Sequence, residues 1–104
     1  MTLKLQPAPV FSCAVPFTVP GQEACALVNI TFKHLAKSAL REFFSGLEGK
    51  SDAEALAEIV SDWSGVDEKF SKESLAVLLD NYPAAAGELF DAFRKELLEA
   101  RAKN

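Results

Sequence analysis

The chain has 104 residues, 49% of them hydrophobic and 25% charged, which is the composition of a folded domain and excludes a disordered or collagen-like chain. Net charge is −4, and of the charged residues only Lys4, Glu23 and Lys33 fall within 1–33. The rest alternate in sign along an acidic remainder, so no basic stripe exists for a phosphate backbone and no nucleic-acid partner is expected.

Residues 1–9 read as an extended N-terminal segment. They lack the charged start and apolar block of a secretory leader. Pro7, Pro9, Pro16 and Pro20 interrupt every apolar stretch before it nears the ~18 residues of a membrane span, so no membrane partner is expected. The expected compartment is the cytoplasm, where Cys13 and Cys25 stay reduced.

Residues 10–33 carry the signature of a β-hairpin. Phe11, Cys13, Val15, Phe17 and Val19 alternate along the first arm, and Ala24, Ala26, Val28, Ile30 and Phe32 along the second. Pro20-Gly21 between them supplies a turn. A hairpin centred on that turn sets Phe11 opposite Ile30, Cys13 opposite Val28, and Pro16 opposite Cys25, with the apolar residues sharing one face. In that register the two cysteines lie on opposite faces, which disfavours a disulfide. Pro16 lacks a ladder donor and marks its strand as an edge. A lone two-stranded ribbon is marginal in water, so it packs on helices or gains strands from another subunit.

Beyond residue 33 the period becomes helical. Leu35, Leu40, Phe43, Phe44 and Leu47 define a first helix that Gly46 and Gly49 end. Ser51 with Glu54 forms a capping box for a second, whose stripe is Leu56, Ile59, Val60 and Trp63, closed by Ser64-Gly65. Ser71 caps a third, with Phe70 and Leu75 placed as a hydrophobic staple and Leu75, Leu78, Leu79 and Tyr82 on one stripe. Pro83 suits the first position of a last helix, about 83–101, with Ala86, Leu89, Phe90, Phe93 and Leu97 inward. The expected fold is α+β in one domain: an N-terminal β-hairpin at 10–33, then a small bundle of about four α-helices over 34–101, and a tail at 102–104.

No chemistry-bearing constellation accompanies this framework. His34 is the only histidine and has no acid or nucleophile at a meaningful spacing. Residues 62–73 have the length of a calcium loop, but Asp67 stands where that loop needs its glycine. The cysteine spacing matches no zinc site, and Gly46-Leu47-Glu48-Gly49 lacks the Lys-Ser/Thr of a phosphate loop. Neither catalytic residues nor a cofactor or metal are therefore expected. Aromatic residues favour interface hot spots, yet most here have core spacing. Trp63 and Tyr82 sit at helix ends, where an indole N–H or phenol O–H can stay wet, and both stay open between core and interface. The candidate partner-binding residues are Trp63, Tyr82, Phe70 and Pro16.

Three segments resemble the tail assembly chaperones of long-tailed bacteriophages. They are FSCAVPFTVPG followed by ACALVNITFKHL, the more specific EIVSDWSGVDEKFSKESLAVLLDNYP, and the terminal AAAGELFDAFRKELLEARAKN with its basic end. The resemblance implies a non-catalytic, ATP-independent protein of the host cytoplasm, made by a phage or prophage. It would bind the tape-measure protein, keep it soluble, help recruit tail-tube subunits, and leave before the virion is complete. A homo-oligomer is expected, associating through hairpin edges or helix faces. The rival reading is a minor structural virion protein, a tail or connector subunit.

Overall fold

The computed structural model describes residues 2–99. The expected end of the last helix near 101 and the tail at 102–104 lie outside them. The elements in order are β1 (Val10–Phe17), β2 (Ala26–Lys33), α1 (Lys37–Ser45), α2 (Asp52–Ile59), β3 (Val60–Ser64), α3 (Lys72–Asn81) and α4 (Ala85–Leu98). The fold is α+β, with a hairpin first and four helices after it, as the patterning predicts.

The hairpin register differs from the expected one by two residues. Phe11 faces Phe32, Cys13 faces Ile30, Val15 faces Val28, and Pro16 faces Leu27 rather than Cys25. Pro20-Gly21 does turn the chain, with the Gln22 N–H donating to the Val19 carbonyl (3.0 Å) and Gly21 at φ +83°. That turn is the tip of a longer loop, 18–25, because pairing stops at Phe17 and Ala26. A two-residue slip keeps every side chain on its face, so the inward set survives the error. Val15, Val28, Ile30 and Phe32 are buried with Cys13 and Phe17.

The larger departure is β3. The segment expected to finish a helix through Val60 and Trp63 instead pairs antiparallel with β2, giving the sheet order β1-β2-β3. Trp63 pairs with Ile30 and Asp62 with Thr31, but the next residue of β2, Phe32, pairs with Val60, leaving Ser61 as the extra residue of a bulge. A regular strand would put Val60 and Trp63, three apart, on opposite faces. The bulge absorbs one residue, so both point inward and are buried. Helical spacing and a bulged strand thus share one sequence pattern.

The helices lie over the inward face. The Phe93 ring of α4 packs against Phe32 (5.4 Å), Phe43 (6.1 Å) and Phe11 (6.2 Å between centroids), tying α4 and α1 to the hairpin. Leu56 and Ile59 of α2, Leu75 of α3 and Leu89 of α4 are fully buried in the same core. Phe90, expected in that core, is half-buried beside it; Ala85, Leu89 and Phe93 define the buried stripe.

Local signals set the helix starts. The Ser51 hydroxyl accepts from the Glu54 N–H (3.1 Å), and the Glu54 carboxylate accepts from the Ser51 N–H (2.9 Å). Ser71 caps α3 with Ser74 as its reciprocal partner. Phe70 and Leu75 both join the core at the staple positions. Pro83 stands before α4 rather than at its first position. The Ala85 N–H donates to the Tyr82 carbonyl across a Pro83-Ala84 turn (2.9 Å).

Candidate partner-binding surface

Among the described residues, strand β1 has β2 on one side and no strand on the other. The polarity of its backbone follows from one bond. The His34 N–H donates to the Pro9 carbonyl (2.9 Å), so Pro9 and His34 form a hydrogen-bonded pair. Such pairs alternate in an antiparallel ladder. Phe11, Cys13, Val15 and Phe17 therefore bond β2, while the backbone groups of Val10, Ser12, Ala14 and Pro16 point away from it. The nitrogen that proline cannot use for donation is thus on the open side. Pro16 costs the ladder nothing, which is why an edge strand tolerates it.

Helix α4 flanks this open edge. Its Glu88 carboxylate accepts from the Thr18 N–H (3.1 and 3.2 Å) and from the Thr18 hydroxyl (2.6 Å). The clamp closes the edge at its loop end and leaves the outward N–H groups of Val10, Ser12 and Ala14 along the rest. Between β1 and α4 runs a groove of about 430 Å³. Cys13, Ala14, Val15, Pro16 and Cys25 line one side, and Glu88, Asp91, Ala92, Lys95 and Glu96 the other. Its helical rim is chiefly acidic. Lys95 first and Arg94 second hold the Asp91 carboxyl below its ordinary value, keeping the rim charged.

A second groove, about 280 Å³, opens beside the hairpin loop and is lined largely by Phe17, Val19, Val28, Val66, Leu78 and Tyr82. The outer face of the sheet bears no helix. Ser12, Ala14, Pro16, Leu27 and Asn29 are exposed there, and the Ser12 and Thr31 hydroxyls bond across the strands (2.9 Å). Charge enters this face only toward one end, at Lys33 and Asp62.

The four residues singled out from sequence separate into two roles. Trp63 is only 8% exposed, and its indole N–H donates to the Glu68 carbonyl (2.8 Å). Phe70 meets it edge-on at 5.2 Å. Their pair folds the 65–71 connection against β3, with Gly65 supplying φ +96° beside the β2 backbone. Pro16 lies in the first groove and half-buried Tyr82 in the second. Sequence reasoning missed Glu88, whose partner is seventy residues away. It also passed over Leu3 and Leu5, although their alternation with Thr2, Lys4 and Gln6 is legible.

His34 is half-buried at the β2–α1 junction. Among the described residues no cluster of three or more His, Cys, Asp or Glu side chains could hold a metal ion. No helix among them is long and apolar enough to cross a membrane.

A family model described as phage tail assembly chaperone matches residues 1–104, the whole chain. The chain belongs to that family. No curated protein and no solved structure gives a match. Among its described residues the tail assembly chaperone thus presents an open edge with a groove beside it, and membership of its family places it among proteins that assist assembly of a phage tail.

Proposed function

We propose that this chaperone binds the tape-measure protein during tail assembly, keeps it soluble and helps recruit tail-tube subunits, without ATP and without catalysis. It acts as one folding unit in the host cytoplasm, self-associates, and is absent from the finished virion. The observation that carries the reading is the open β1 edge beside its acidic-rimmed groove. Unpaired edge groups and a shallow apolar floor suit repeated modest contacts along a long client, and the net charge of −4 favours solubility of the complex. Pro16 and Tyr82 contact the client, one in each groove; Trp63 and Phe70 hold the platform between them.

The test is co-expression with the tape-measure protein. The chaperone is expected to co-purify with it and raise its soluble fraction, while mass spectrometry of finished particles finds no chaperone. An open sheet edge also suits a ring-forming virion subunit. Stoichiometric recovery from purified particles would establish that rival and end the chaperone reading.

A further inference from the structure

Residues 2–6, Thr-Leu-Lys-Leu-Gln, alternate polar and apolar as a half-buried strand does, yet they pair with no strand among the described residues. Leu3 and Leu5 are 86% and 89% exposed, more than any other large hydrophobic side chain among the described residues. Two leucines at strand spacing, both in water, call for a cover.

Their own β1 edge is a poor one. Pro7 and Pro9 have fixed φ, and each drives the residue before it, Gln6 and Ala8, toward extended backbone. A tight reversal needs a helical or left-handed residue at its centre, which this spacer avoids. The chain bends at Leu5, Gln6 and Pro9, yet residues 2–6 stay unpaired with β1.

The edge of another copy fits the arm residue by residue. The outward backbone groups of β1 belong to Val10, Ser12 and Ala14, whose side chains lie on the exposed outer face. In an antiparallel addition, residues opposite them share that face. Thr2, Lys4 and Gln6 have the polarity for those places. Leu3 then falls opposite Cys13 in the groove walled by Ala92, and Leu5 opposite Phe11, whose ring stacks on Phe93 of α4. Any other assignment of the alternation would put the leucines in water and Lys4 on the apolar floor.

We propose that residues 2–6 of one copy add as a strand to the open β1 edge of a second copy, with Leu3 and Leu5 seated between β1 and α4. The inference rests on the self-association proposed above; because the client is proposed for the same edge, the arm holds that edge until the client displaces it.

Sedimentation and amide exchange on the full chain test it. Wild-type protein is expected to form a larger species as concentration rises, with the Ser12 and Ala14 amides becoming protected in step. Leu3→Glu with Leu5→Glu, set against the acidic rim of Glu88, Asp91 and Glu96, is expected to abolish both. Both leucines lie outside the core, so at concentrations where wild-type protein is monomeric the melting temperature should be unchanged. Persistence of the larger species in the double variant overturns the strand addition, as does fast exchange of Ser12 and Ala14 in concentrated wild-type protein. Capture of the tape-measure protein is scored on the same samples. Failed arm exchange with the client still captured removes this inference and leaves the proposed function standing.

Discussion

The two faces of the sheet differ sharply in burial. The inner face carries Phe11, Cys13, Val15, Phe17, Val28, Ile30, Phe32, Val60 and Trp63, and the helices close over it. The outer face carries Ser12, Ala14, Pro16, Leu27 and Asn29, all exposed, with half-buried Thr31, and among the described residues no helix covers it. Burial of large side chains on one face holds the fold; short side chains on the other leave the backbone edge approachable. Because strand residues alternate, both properties are written into the same eight-residue segments. Stability and exposure can then be altered independently.

The sharpest way to break the comparison is to substitute on each face in turn. Phe93→Ala empties the site where four rings meet and should cost ~3–5 kcal/mol in denaturant melts. A much smaller loss would mean that the helices repack without α4. Glu88→Ala releases the Thr18 N–H and hydroxyl at the end of the edge, with an expected loss of about 1 kcal/mol. Its more specific readout is faster exchange of the Thr18 amide; an unchanged rate would show that the clamp does not hold in solution. On the outer face, Leu27→Ser removes a side chain that is 69% exposed and should stay within ~0.5 kcal/mol of the parent. A large loss there would show that the face is covered in solution.

The smallest effect is electrostatic and lies on the helical half. The Ser51 backbone N–H first, and its hydroxyl second, hold the Glu54 carboxyl below its ordinary value of 4.5. A carboxyl depressed on folding contributes stability above its unfolded value, and loses it as pH falls through the lower folded one. The melting temperature should therefore decline as pH drops below about 4.5. Glu54→Gln should flatten part of that decline, and coincident slopes for the two proteins would dissociate the cap from acid sensitivity.

Legibility varied along the chain for physical reasons. Capping at Ser51 and Ser71 was readable because each cap and its partner lie three residues apart. The inward set of the hairpin was readable because period-two alternation survives a two-residue slip, although the register itself was not. Thr18 leaves the ladder for a carboxylate on a helix not yet formed when the turn is considered. Strand β3 was misread because a bulge at Ser61 reproduces the spacing of a helical stripe. Trp63 was left between core and surface, and only the Glu68 carbonyl and the Phe70 ring decided it.

The sequence by itself determined the class of fold, the starts of α2 and α3, and the inner face of the hairpin. Each of these depends on residues close in the chain, where geometry follows from local spacing. Tertiary structure alone decided the third strand, the groove between β1 and α4, and which backbone groups look outward. Those depend on partners far apart in sequence, and their distances exist only once the chain has folded.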